Sequence, residues 1–159
     1  MSLQDELGLQ EPFDDKRHET VLSIVRTANL LSNVAGQLFR EFGLTEAQFN
    51  VLFALKYTTG DITQAELGKR LVVTRASITS VLDKLEAKSL VTRNNVPGNR
   101  RIHHVRLTPE GTALADKVER PYREVVNEAI AGLSDADCDT LIQLMQSTRD
   151  HVRDSLTES

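Results

Sequence analysis

The sequence predicts a mainly α-helical fold with one small β-hairpin set between long helices toward the two ends of the chain. Three observations predict it. Apolar residues recur every three or four positions from Val21 to Phe42, the spacing that lines one face of an α-helix. Helix-start signals stand at Thr45, Thr63, Thr74, Thr108 and Ser134, where a hydroxyl can accept from an amide of the first helical turn. Two segments with strand character, 90–93 and 102–107, flank a stretch rich in Asn, Pro and Gly, which is turn chemistry.

Residues 1–13 show no steady period, and Pro12 is a poor helix-interior residue, so this arm is expected to be extended or mobile. From about Asp14 to Phe42 the positions Val21, Val25, Ala28, Leu31, Ala35, Leu38 and Phe42 form one apolar stripe, widened by Leu22, Ile24, Leu30, Val34 and Phe39. One long amphipathic helix results. At 1.5 Å per residue it spans roughly 43 Å, more than a chain of this size needs on one face, which implies that part of it packs against a second chain.

Gly43 is a helix stop. Thr45 with Gln48 forms a capping box that opens a compact buried helix from Glu46 to about Tyr57. Gly60-Asp61 turns the chain, and Ile62 falls in a very short strand. Thr63 with Glu66 is a second capping box, and Thr74 caps the helix that follows. On that helix Ile78, Val81, Leu82 and Leu85 share one stripe, leaving Ala76, Thr79, Ser80 and Asp83 on the opposite face with Arg75 and Lys84 beside them. The strand pair then reads as a hairpin whose turn covers Asn94 to Arg101, with Arg100 and Arg101 near its tip. Thr108-Pro109 starts a helix that reaches about Ala131, and Pro121 inside it should kink or divide it. Gly132 stops that helix, and Ser134 with Asp137 starts the last one, carrying Cys138, Leu141, Ile142, Met145 and Val152. The expectation is six helices and one hairpin, with no internal repeat.

The order helix, turn, helix, hairpin over residues 45–107 describes a winged helix-turn-helix, flanked by the helical stretches 14–42 and 109–155 within a single domain, 1–159. The outward face of the second helix is small, polar and partly basic. Such a face fits a DNA major groove, because small residues let the backbone approach base edges while hydroxyls and Arg reach bases and phosphates. Arg75, Ala76, Ser77, Thr79 and Ser80 are expected to face the groove, with Thr74 and Lys84 near phosphates. Asn99, Arg100 and Arg101 belong to a wing that follows the backbone into the adjacent minor groove.

The formal net charge of -4 argues against nucleic acid only if charge is evenly spread. It is not. Residues 64–106 hold nine Lys/Arg against three acids, an excess of six positive charges, while the rest of the chain holds ten basic and twenty acidic side chains. A basic module therefore sits in an acidic frame; such flanks would repel phosphate and help confine DNA to one face, and ordinary solvated helix surfaces explain the same acids equally well. The one cysteine, Cys138, excludes an internal disulfide framework and fits a reducing compartment. The start of the chain is acidic with no signal pattern, and no apolar run reaches the roughly 18 residues a membrane span needs, so a soluble cytoplasmic protein without a membrane partner is expected.

Three strings in this order resemble the MarR family of transcriptional regulators: LTEAQFNVLFAL at 44–55, TQAELGKRLVVTRASITSVLDKLEAKSLV at 63–91 and NRRIHHVRLTPEG at 99–111. The resemblance covers nearly the whole chain. It implies a homodimer in which the terminal helices of both chains interleave and two winged modules meet successive major grooves of a pseudo-palindromic site in double-stranded DNA. Many members are repressors released by small phenolic or anionic effectors. Such an effector would bind between the helical frame and the winged module, where Arg26, Arg40, Lys56 and Tyr57 are candidate polar contributors. No cofactor is implied. Two positions differ from the family pattern: its wing commonly has Asp-x-Arg, where this chain has Asn99 and Arg101, and it usually has Gly after the recognition helix, where this chain has Ser89. A residue in positive φ there would be mildly strained as Ser.

Other functions find thinner support in the residues. An enzyme needs convergent chemistry, and His103 and His104 are adjacent, so on a strand they point to opposite faces and cannot share a metal without a bend. His18 and His151, with Glu19 or Asp150, could meet across a dimer as a metal-sensing site. Cys138 falls in the first turn of the last helix, where the dipole can lower a thiol pKa, but Leu141 and Ile142 beside it favour a buried core thiol over redox sensing. A helical dimer that uses the hairpin to bind a protein partner is the remaining alternative.

Overall fold

The computed structural model describes residues 2–11, 13–71, 74–96 and 99–157, and the side chains of residues 75, 96, 99–102, 156 and 157 fall outside the description. Among the described residues there are seven helices and three strands: α1 Leu3–Leu7, α2 Lys16–Glu41, α3 Glu46–Lys56, β1 Ile62–Thr63, α4 Gln64–Arg70, α5 Arg75–Ala87, β2 Val91–Val96, β3 Asn99–Leu107, α6 Pro109–Ala129 and α7 Asp135–Thr157. The fold is mainly α with a small wing, as the sequence predicts. By contact density the chain divides into two compact units, Met1–Arg123 and Glu124–Ser159.

In the first unit the arm is not wholly extended. Ser2 and Asp5 form a reciprocal capping box, and α1 runs until Gly8 at φ 64°. Five residues are too few for an apolar period to reveal, so the signal lay in the cap alone. Helix α2 begins after Asp15, whose side chain accepts from the Arg17 amide. It ends where the Gly43 amide donates to Arg40 and the Leu44 amide to Phe39, with Gly43 at φ 67°. This paired closure brings buried Leu44 back onto buried Phe39. The Lys88 ammonium adds a 2.6 Å bond to the Gly43 carbonyl. Both expected capping boxes form, Thr45 with Gln48 on α3 and Thr63 with Glu66 on α4.

The strands make one antiparallel sheet in the order β1-β3-β2. Ile62 pairs with Val105, and Arg93 pairs with Val105 from the other side. The hairpin is longer than the sequence indicates: Asn94 pairs with His104 and Asn95 with His103, and the register shifts between Asn95 and Val96. Arg100 and Arg101 consequently lie on β3 and not in the turn. Backbone pairing extends the ladder through polar residues because a partner strand is already aligned, which no alternation of side chains announces.

The core of this unit joins Phe39 of α2, Phe49 and Leu52 of α3, Leu67 of α4, Ile78, Leu82 and Leu85 of α5, Val91 and Val105 of the sheet and Val118 of α6, all essentially inaccessible. Phe39 stacks on Phe49 at 4.2 Å between ring centroids, and Tyr122 packs against Phe49 at 4.8 Å. Along α2 only Phe39 is buried, while Val21, Val25, Leu30, Leu31 and Val34 are exposed.

Helix α6 continues through Pro121 undivided, so of the two expected effects, a kink or a division, the division does not occur. In the second unit Ser134 and Asp137 cap α7 reciprocally. Leu141, Ile142, Leu144 and Val152 are exposed on it. Cys138 is half-buried and not the core thiol expected. Its turn of α7 is flanked by exposed residues, so Leu141 and Ile142 do not enclose it.

Candidate nucleic-acid interface

Helix α5 forms where the apolar period and the cap agree. Thr74 Oγ1 accepts from the Ser77 amide at 3.1 Å and lies 2.8 Å from the Ser77 hydroxyl. Ile78, Leu82 and Leu85 are buried and Val81 is half-buried, so the predicted inward stripe is the observed one. The opposite face is open: Ala76, Thr79, Ser80, Asp83 and Lys84 line one shallow concavity. Thr79 is half-buried within it, because its hydroxyl accepts from Gln64 Nε2 at 2.6 Å and so holds α4 against α5. Ser77 and Thr74 are exposed. The side chains of Arg75, Asn99, Arg100 and Arg101 lie outside the described residues, although their backbones belong to α5 and β3.

Two arginines fasten the wing. On β2, Arg93 reaches α5, with Nη2 at 2.6 Å from Asp83 Oδ1 and Nε at 3.0 Å from Glu86 Oε2. Hydrogen bonding to Glu86 first, and to Asp83 after it, holds the Arg93 pKa above its ordinary value. On β3, Arg106 Nε donates to Asp61 Oδ1 at 2.7 Å. His104 Nδ1 lies 3.4 Å from the other oxygen of the same carboxylate. The Arg93 contact was legible only in part, since Glu86 is seven residues away but reached through a turn.

A third ionic cluster joins α3 to α6. Glu119, buried to 7% exposure, accepts from the Lys56 ammonium, the Tyr57 hydroxyl and the Arg123 guanidinium, and Lys56 also lies 2.6 Å from Asp116. These donors, Lys56 foremost, hold the Glu119 carboxyl down to about 2. The two acids, Asp116 foremost, raise Lys56 above its ordinary value. Lys56 and Tyr57, candidate contributors to an effector pocket, are thus engaged with Glu119. Arg26 bonds Glu6 at 3.2 Å, and Arg40 is exposed near the end of α2. Sequence reasoning did not single out Glu119; its Arg123 partner is one helical turn away, but Lys56 and Tyr57 are 63 and 62 residues distant.

Among the described residues no three His, Cys, Asp or Glu side chains are grouped to hold a metal ion. His18 lies edge-on to Phe13 at 6.1 Å in the first unit, and the His151 carbonyl accepts from Ser155 in the second. No described helix is long and apolar enough to cross a membrane.

The family model for the MarR family matches residues 42–102, from the end of α2 into β3. Over this segment the chain is similar to the MarR family of transcriptional regulators. All the residues of the candidate interface, Thr74 to Arg101, lie within the matched segment. Over 143 residues the chain is 29% identical to the uncharacterised HTH-type transcriptional regulator YkoM of Bacillus subtilis, covering 87% of this chain and 92% of that protein. Among solved structures, a MarR mutant from E. coli complexed with operator DNA is 25% identical with a TM-score of 0.76, covering 85% of this chain and 99% of that one. Bordetella bronchiseptica BpsR, solved in a study of how 6-hydroxynicotinic acid regulates its DNA binding, is 26% identical with a TM-score of 0.74, covering 82% and 98%. YkoM is thus described as a transcriptional regulator, and the two solved structures concern DNA binding.

Proposed function

We propose that the chain binds double-stranded DNA as a cytoplasmic homodimer and represses transcription from a pseudo-palindromic operator until a small effector releases it. The observation that carries this reading is the open face of α5, small and polar at Ala76, Ser77 and Ser80 and set beside a fastened hairpin. A helix with such a face can sit in a major groove, which is about 12 Å wide, with its backbone close to base edges. Arg75, Ala76, Ser77, Thr79 and Ser80 face the bases in this reading, Thr74 and Lys84 lie near phosphates, and Asn99, Arg100 and Arg101 approach the minor groove. The nine basic residues of 64–106 supply the electrostatic attraction. The operator complex of the E. coli relative supports it.

In this reading the whole chain, 1–159, works as one domain, with 14–42 and 109–155 forming the dimer frame. The exposed apolar residues of α2 and α7 support self-association. Half-sites one turn apart demand about 34 Å between reading heads, so an effector that changes their spacing shifts the population away from the DNA-competent form. A phenolic or anionic effector is favoured by the named ligand of BpsR.

Mobility shifts of genomic fragments at two salt concentrations test the proposal. Log affinity should fall linearly with log salt by about 0.9 for each phosphate neutralised. Binding that ignores salt, or no binding to any fragment, would favour a protein-partner role for the hairpin.

A further inference from the structure

The wing is a lever. Arg93 sits midway along β2, and the last residue of that strand, Val96, lies three residues beyond it, roughly 10 Å at the rise of an extended strand. A 10° tilt at the base therefore displaces the tip by about 2 Å, several times the roughly 0.5 Å tolerance of a working recognition site. Whatever fixes the base sets where the tip meets DNA.

The described contacts at that base differ in strength. Arg106 and Asp61 are both well exposed, at 58% and 38%, and water screens such a pair. Arg93 is the more enclosed, at 21%, and uses Nε and Nη2 on two carboxylates of α5. A guanidinium fork fixes direction as well as distance, which a lysine cannot do. Asp83 is also the one acid in the open concavity of α5. Unpaired, its charge would oppose phosphate on the face that must approach DNA.

We propose that Arg93 is a positioning residue for DNA reading: it locks the base of the β2–β3 wing to the C-terminal half of α5 and cancels Asp83 on the reading face. The proposal rests on the DNA-binding reading above. Arg93 touches no base in this scheme. It acts by keeping the wing and the recognition helix in one register, so that major-groove and minor-groove contacts form together.

The experiment compares the full-length wild type, Arg93→Ala and the charge-swapped pair Arg93→Glu with Glu86→Arg on a bound genomic fragment. Circular dichroism confirms folding, and Arg93→Lys, which keeps charge but loses the fork, replaces Arg93→Ala if the latter does not fold. Arg93→Ala should bind about tenfold more weakly. At saturating protein it should lose hydroxyl-radical protection in the flanking minor groove while retaining guanine N7 protection in the major groove. The swap should recover the flanking protection, because the fork-to-carboxylate bridge is rebuilt in reverse. An unchanged footprint for Arg93→Ala overturns the proposal. So does a folded swap no better than Arg93→Ala, which would make Arg93 a phosphate contact in its own right. If the wild type binds no fragment, the DNA reading itself fails, and amide hydrogen exchange on the free protein decides the brace. Faster exchange confined to β2 and β3 in Arg93→Ala, reversed by the swap, supports it; unchanged exchange overturns it.

Discussion

A Cβ on Gly111 would fall 1.9 Å from the Leu90 carbonyl oxygen. That oxygen accepts from the Thr108 amide at 3.1 Å, and Thr108 Oγ1 accepts from the Gly111 amide at 2.9 Å. The start of α6 is thereby held against the junction between α5 and β2. Gly111→Ala gains about 1 kcal/mol in helix propensity but forces the backbone apart, a strain of about 3 kcal/mol. The clash wins, and urea titration should show a net loss of about 2 kcal/mol.

Ser89 is the one non-glycine at positive φ among the described residues, at 57°. It follows α5, and its carbonyl accepts from Thr108 Oγ1 at 2.7 Å. An L-residue there costs about 1–2 kcal/mol, and glycine removes that cost while losing more entropy on folding. Ser89→Gly should therefore stabilise by about 0.5–1 kcal/mol, read as a melting temperature raised by roughly 1–4 °C, with the Thr108 bond intact because it uses the backbone.

Glu119 makes stability depend on acid. Its carboxyl is depressed from the ordinary 4.5 to about 2 in the folded chain, so its contribution is complete above the unfolded value and fades as pH falls from 4.5 toward 2. Lys56 is shifted upward from 10.5, so its contribution is complete below that value and fades as pH rises past it. Glu119→Gln should be less stable than wild type at pH 7, and the two should converge between pH 4.5 and 2. Parallel curves across that window would show that the Lys56, Tyr57 and Arg123 contacts do not act on the charged form.

The elements that were legible are those whose cause is local. Thr63 with Glu66 and Thr45 with Gln48 are caps formed within four residues, and Ile78, Leu82 and Leu85 announce the buried side of α5 by spacing alone. The open face of α5 follows by subtraction. What escaped depends on distant partners or on too short a segment. Glu119 is one acid among many until Lys56 and Tyr57 arrive from α3. The long hairpin depends on Asn94 and Asn95 finding His104 and His103. Thr79, read as facing outward, is drawn half inward by Gln64 of α4. Pro121 leaves the Lys117 carbonyl without its helical donor, yet flanking turns carry α6 through.

Arg101 and Arg75 should separate affinity from preference. Arg101→Ala, if it removes one phosphate contact, lowers the slope of log affinity against log salt by about 0.9, leaving circular dichroism and oligomeric state unchanged. Arg75→Ala, if it removes a base contact, relaxes discrimination at one base pair by about 1–3 kcal/mol. Selection of bound sequences from random DNA reads the second effect. A variant of Arg75 that weakens all sequences equally would move that residue from the bases to the backbone.

The exposed side of α2 tests the homodimer. Val21 and Val25 are half or more exposed, at 56% and 50%, and with Leu30, Leu31 and Val34 they continue an apolar surface that water does not favour. In a two-fold dimer every substitution occurs twice, so its cost is doubled. Placing a carboxylate at Val25 on an apolar contact should cost about 1.5 kcal/mol or more per copy, and two copies raise the dissociation constant of self-association by roughly two orders of magnitude. Val25→Glu should sediment as a monomer at concentrations where the wild type is a dimer. DNA affinity should fall with it, since one winged module alone reads half a site; a monomer that retains full operator affinity would show that the two reading heads do not bind as a pair.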